Sequence, residues 1–134
     1  MQFINYKRFL KFSFVGIVNT FTDLIILNFL FFLFGHQKHS FILIIYNTIS
    51  FLLANILSYH LNKNFTFKRN ANYLVFLTFS SFILILNNIL IYIFYNYFFT
   101  FLESFINLNT SKLLAILISS IFSFLINDKY IFKL

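Results

Sequence analysis

Phe12–Phe34, read FSFVGIVNTFTDLIILNFLFFLF, runs for 23 residues with a single charge, Asp23. The hydrocarbon core of a bilayer is crossed by about 20 predominantly apolar residues in a helix, so this stretch predicts a transmembrane helix. It is too long for the apolar part of a signal peptide, and no cleavable leader is expected. The run stops at Gly35-His36-Gln37-Lys38-His39. Working outward, Phe41–Tyr59 carries no charge, and the polar segment His60–Asn72 follows with Lys63, Lys68 and Arg69. Tyr73–Tyr97 is a third uncharged run. A fourth, Leu113–Ile126, is the shortest and needs Lys112, or Tyr130 and Phe132, to reach across. The expected spans are 12–34, 41–59, 73–97 and 112–130, in one domain covering 1–134. With no Pro and 2 Gly nothing interrupts four continuous helices, which satisfy every backbone group inside lipid. The predicted class is an all-α integral membrane protein.

Composition agrees. Of 134 residues, 60% are hydrophobic and 10% charged, with mean hydropathy +0.87. A soluble domain has about 25% charged residues, so a soluble enzyme is excluded. The absence of Cys excludes a disulfide-stapled secreted domain. Three acids in all, with no Gly-rich phosphate loop and no Ser-His-Asp set, leave little for catalysis, and the chain is not expected to be an enzyme or to carry a cofactor. His36 and His39 lack a third ligand, so no metal site is expected. Glu103, among Phe98, Phe99, Phe101, Leu102 and Phe105, suggests an amphipathic stretch on the outer face.

The net charge of +7 is a matter of placement. In a four-helix threading Lys7, Arg8, Lys11, Lys63, Lys68, Arg69, Lys129 and Lys133 share one side, against Lys38 and Lys112 on the other. Eight against two puts the first set, and both termini, in the cytoplasm. The basic residues then serve topology and anionic headgroups rather than nucleic acid. The same bias disfavours a dual-topology multidrug exporter.

A shift of 65 residues lays the chain over itself. Ser58-Tyr59-His60-Leu61-Asn62 meets Ser123-Phe124-Leu125-Ile126-Asn127, and Phe65-Thr66-Phe67-Lys68 meets Tyr130-Ile131-Phe132-Lys133. Asp23 meets Asn88, and Asn47 meets Lys112. Each half is a two-helix hairpin that starts and ends on the same side, so the halves are parallel repeats about an axis along the membrane normal, a layout that transporters use.

Polar groups inside the spans are costly, an Asp at mid-span by about 2.5–3.5 kcal/mol on insertion scales. Asp23 lies about 16 Å along the first span, counted from Phe12 at 1.5 Å per residue. Ser13, Gly16, Thr20 and Asp23, with Asn19 beside them, form one small and polar stripe; Asn47, Ser50, Ala54 and Ser58 form a second. Thr78, Ser81 and Asn88 mark the third span, and Lys112, Ala115, Ser119, Ser123 and Asn127 the fourth. Small and hydroxyl residues at this spacing serve helix packing, but packing does not require an acid. Lys112 is the expected partner of Asp23, and Asn19, Asp23, Asn47, Asn88 and Lys112 are the candidate lining of a polar path. Asp23→Asn, which keeps the shape, is expected to leave the fold intact.

Arg8-Phe9-Leu10-Lys11-Phe12, Val15-Gly16, Asn19 and Asp23, the hairpin end Ser58-Tyr59-His60-Leu61-Asn62-Lys63-Asn64-Phe65-Thr66-Phe67, and Lys112-Leu113-Leu114-Ala115 together resemble the GtrA-like family of small four-helix membrane proteins, nearly end to end. The chain departs from the family's pattern at Ser58, Lys63 and Phe65, where Asn, Arg and Trp are usual. The resemblance implies a role in cell-surface polysaccharide synthesis: translocation of a polyprenyl-phosphate-linked sugar across the cytoplasmic membrane. The alternative is a non-transporting anchor that recruits a polyprenyl-phosphate glycosyltransferase. The implied partners are the sugar lipid and a membrane glycosyltransferase. With so small an interior, a second copy in a homodimer is a further expected partner. On the carrier reading Asn62, Lys63, Lys68, Arg69, Asn127 and Lys129 meet the phosphate headgroup at the cytoplasmic face.

Overall fold

The computed structural model describes residues 6–34 and 40–131. His36, Lys38, His39 and Lys133, which entered the metal and charge readings above, lie outside the described residues. Four long helices make up the rest: α1 (Tyr6–Phe34), α2 (Ser40–Leu61), α3 (Tyr73–Ile93) and α4 (Ser104–Ile126). Three of them end in five-residue π-helical turns, Asn62–Thr66 after α2, Phe94–Phe98 after α3 and Asn127–Ile131 after α4. With these turns included, all four are long and apolar enough to cross a membrane, and no strand occurs among the described residues.

The helix ends follow from local chemistry. The turn after α2 closes with the Phe67 N–H donating to Asn62 O at 2.9 Å and the Arg69 N–H to Lys63 O at 3.1 Å. Lys68 then adopts φ 53°, the left-handed conformation that stops a helix. Asn72 restarts it, its side-chain oxygen accepting from the Leu74 N–H at 2.9 Å as an N-cap. Beyond α3 the chain turns tightly, the Leu102 N–H bonding Phe99 O at 3.0 Å. The fourth helix is therefore longer than its apolar run, since it begins at Ser104 rather than near Lys112. Its first turns are polar but anchored: Asn107 donates to Tyr95 O at 2.9 Å and accepts from Ser111 Oγ at 3.0 Å. Glu103 caps nothing with its side chain and sits at this helix start, so the expected amphipathic stretch is a short link running straight into α4.

α1 packs on α2 and α3 on α4, and the α2–α3 and α1–α4 seams close the ring. On α3 the buried positions step by three or four, at Phe76, Ser80, Ile83, Asn87 and Ile91. One apolar cluster holds Phe12, Tyr59, Phe67, Phe76, Phe124 and Ile131, and a second holds Leu27, Phe31, Leu43, Ile91, Leu108 and Ala115. The first cluster joins the starts of α1 and α3 to the ends of α2 and α4, so both hairpins begin at the same end of the bundle. Lys7, Arg8, Lys11, Lys63, Lys68, Arg69 and Lys129 all lie toward that end. Outward faces carry Phe21, Ile25, Phe29 and Phe32 on α1, all exposed, as a lipid-facing surface requires.

Lys112 is not on the opposite side. It is wholly buried within α4, which leaves the outer side of the charge count with Lys38 alone. A long stem lets its ammonium reach partners inside the bundle, and those partners decide its position.

Candidate functional site

Between the two apolar clusters lies a polar layer. Lys112 Nζ stands 2.7 Å from Asp23 Oδ2, with the two side chains 0% and 2% exposed. Asp23 Oδ1 accepts from Ser50 Oγ at 2.6 Å. Lys112 also donates to Asn47 Oδ1 and, at 3.5 Å, to Asn87 Oδ1. Asn47 in turn donates to Asn87 Oδ1 at 3.2 Å and to Asn88 Oδ1 at 2.6 Å. Asn88 donates to Thr48 Oγ1 at 3.2 Å and Asn87 to Ser119 Oγ at 3.3 Å. All four helices contribute. Two charges removed from water are tolerated only with close geometry and their remaining hydrogen bonds met, and the amides supply those bonds.

The layer carries the repeat in its geometry. Asp23 and Lys112 correspond to Asn88 and Asn47 under the shift of 65, and each pair is in direct contact, at 2.7 Å and 2.6 Å. At the basic end the match recurs: Asn62 Nδ2 donates to Ser58 Oγ at 3.1 Å, and Asn127 Nδ2 to Ser123 Oγ at 3.3 Å. The π-helical turns at Asn62–Thr66 and Asn127–Ile131 occupy the same repeat positions.

Of the expected path residues the structure thus brings Asp23, Asn47, Asn88 and Lys112 into one network. Asn19 stands apart from it. It lines a cleft of about 730 Å³ between α1 and α4, together with Asp23, Asn55, Asn62, Asn87 and Ser119. Beside this cleft Gly16 opens onto free space, with nothing within 4 Å of where a Cβ would point. Three amide atoms in its wall are buried without a protein partner: Asn19 Oδ1, Asn55 Nδ2 and Asn62 Oδ1.

The candidate phosphate residues divide. Lys63, Lys68 and Arg69 come together, with Asn64 and Asn70, around a shallow surface groove of about 420 Å³. Lys63 also lies over the Tyr59 ring at 5.8 Å. Lys129 is exposed and outside that groove, and Asn62 and Asn127 are buried in the bundle end rather than at its surface. Among the described residues no group of three acids or histidines could hold a metal.

Two corrections concern the polar stripes. Thr78 and Ser81 are exposed, their hydroxyls turned back to Leu74 O and Leu77 O at 2.9 Å each. A hydroxyl satisfied by its own helix carries no obligation to face inward, so α3 buries Ser80 and Asn87 instead. Asn87 and Asn55 are the residues that sequence reasoning left out of the path. The spacing of Phe76, Ser80, Ile83, Asn87 and Ile91 was the available signal for Asn87. It is masked because the lipid-facing side of α3 is as apolar as its buried side, with Leu74, Phe82, Ile85 and Ile89 exposed.

A family model described as GtrA/DPMS, transmembrane domain, matches residues 11–132. No curated protein and no solved structure matches the chain.

Proposed function

The chain belongs to the GtrA/DPMS transmembrane-domain family, and on that premise we propose that it translocates a polyprenyl-phosphate-linked sugar across the cytoplasmic (inner) membrane in cell-surface polysaccharide synthesis. Membership supports a role in polysaccharide or lipid-linked sugar processes, in a multi-pass membrane protein of a generally non-catalytic family. The observation that carries the finer reading is the Asp23–Lys112 pair with its amide layer, in the middle of an apolar bundle and beside an open cleft. Ionisable residues inside a membrane span are expensive and mark substrate pathways. Helix packing is already served here by Ala54, Ala115, Ser50 and Ser119, all buried.

On this reading the basic end of the bundle faces the cytoplasm. Lys63, Lys68 and Arg69 gather the phosphate there, and the sugar passes along Asn19 and Asp23. The polyprenyl tail stays in lipid. A membrane glycosyltransferase makes the substrate, and the chain itself performs no bond chemistry. One observation favours the anchor reading: Asp23, Lys112, Asn47, Asn87 and Asn88 satisfy one another and leave no group in the network reaching for a ligand. Purified protein in liposomes, without any glycosyltransferase, separates the two. Transfer of a polyprenyl-phosphate hexose between leaflets, measured by its accessibility to an added reagent, supports the carrier. No transfer above protein-free liposomes, with correctly folded protein present, refutes it in favour of the anchor.

A further inference from the structure

The cleft between α1 and α4 is amphipathic in a particular way. Its lip is apolar and exposed, formed by Ile17 and Phe21 on α1 and by Leu117 and Ile121 on α4. Its buried interior sets polar groups among apolar ones: Asn55, 6% exposed, and Asn62, 1%, lie in one wall with the buried Phe76 and Ile83. Three buried amide atoms there lack a protein partner, Asn55 Nδ2, Asn19 Oδ1 and Asn62 Oδ1, and hydroxyls such as Ser13 and Thr20 line the same wall. Asp23 is the sole ionisable residue in the wall among the described residues, and the cations Lys63, Lys68 and Arg69 line a separate groove. A hydroxyl both donates and accepts, and so suits every one of these atoms. A phosphate or sugar carboxylate only accepts. It would lie beside Asp23, whose Lys112 partner is already committed at 2.7 Å, with no cation in the wall among the described residues, a burial that is unfavourable without a counter-charge. The volume, about 730 Å³, falls in the range of small-molecule sites.

We propose that this cleft is the seat of an uncharged polyhydroxyl headgroup, entered sideways from the lipid between α1 and α4, and that it rejects acidic sugars and bare phosphate. The assignment rests on the carrier reading for its substrate, but occupancy can be measured apart from transport. The amides of Asn19, Asn55 and Asn62 take the hydroxyls, the linking phosphate stays at the open mouth of the cleft, and the tail lies along the apolar lip in lipid.

The chain contains no Cys, so Ser120→Cys places a single thiol in the cleft wall. The Ser120 hydroxyl bonds its own helix, at Leu117 O, 2.8 Å away, and is not spent on a ligand. In proteoliposomes, the rate of modification by a small thiol reagent is followed with three additions: a polyprenyl-phosphate hexose, the same lipid bearing a uronic acid, and polyprenyl phosphate alone. The hexose lipid is expected to slow modification about tenfold at saturation, and the other two less than twofold. Asn19→Leu, at a half-buried position, should remove the protection, as should Asn55→Leu where it folds. Equal protection by polyprenyl phosphate alone, or by the uronic acid lipid, overturns the proposal. Transfer between leaflets without protection also overturns it. Protection without transfer keeps the site and sinks the carrier.

Discussion

Removing the Lys112 charge, as Lys112→Met, is the perturbation with the largest consequence. Methionine keeps most of the stem and deletes the ammonium that stands 2.7 Å from Asp23. Asp23 retains one donor, Ser50 Oγ at 2.6 Å, and is otherwise a carboxylate stranded at 2% exposure. Breaking a buried pair from one side costs about 3–5 kcal/mol, or roughly a hundred- to several-thousand-fold in the folding equilibrium at 1.4 kcal/mol per decade. An ordinary interhelical hydrogen bond in a membrane averages about 0.6 kcal/mol, so the two accounts are separable. Asp23→Asn leaves the ammonium with neutral acceptors only, Asn47 Oδ1 and Asn87 Oδ1, and a loss is again expected. The pair's geometry argues against the expectation that an amide in place of Asp23 leaves the fold intact, and the same measurement tests it. The clean variant is the double, Asp23→Asn with Lys112→Met, which leaves no buried charge. It should return to within about 1 kcal/mol of the parent, because replacing both members of a buried pair is commonly neutral or stabilising. The assay is reversible unfolding in lipid for the parent, both singles and the double, closed as a mutant cycle. Singles that each cost under about 1 kcal/mol, or a double no better than the singles added, would refute the reasoning.

Other outcomes are tested on the same footing. A reporter fused after Leu134 should be active in its cytoplasmic form and silent in its periplasmic one; the reverse pattern contradicts the charge count. Asn47→Leu should cost more than Asn88→Leu in the unfolding assay, by about 1–3 kcal/mol, because Asn47 alone bridges Lys112, Asn87 and Asn88. Phe76→Ala, at a side chain 2% exposed, should cost about 3–5 kcal/mol, while Phe32→Ala, 84% exposed, should change stability by less than about 0.5 kcal/mol.

The sequence was most informative where one property had one explanation. Long apolar runs without Pro can only be helices in lipid, and the four helices followed. The shift of 65 paired Asp23 with Asn88 and Asn47 with Lys112, and the same shift relates the two contacts in the structure. It was least informative where two explanations shared a residue. Lys112 begins an apolar run, so it read as a flanking cation, yet Asn107 and Ser111 extend the helix before it and bury it. Thr78 and Ser81 read as interior because they are polar, yet each is satisfied by its own backbone. Asn19 shows a third limit: its place in the α1 stripe was legible, but the cleft beside it depends on how far α1 and α4 stand apart, which no single helix encodes.

The two halves also show what the polar layer needs and what it does not. Both contacts cross between the halves: Asp23 of the first meets Lys112 of the second, and at the equivalent positions Asn47 of the first meets Asn88 of the second at 2.6 Å. The two halves are thus joined by neutral amides at one of two equivalent contacts and by charges at the other. Amides give hydrogen bonds across helices without the desolvation cost of an ion pair. Charge at the Asp23–Lys112 contact is therefore an addition to what packing requires, and it lies where Asp23 reaches the wall of the α1–α4 cleft. A stability cost confined to one of two equivalent contacts, and bordering an open cleft, is where a difference in function between the two contacts has to be sought.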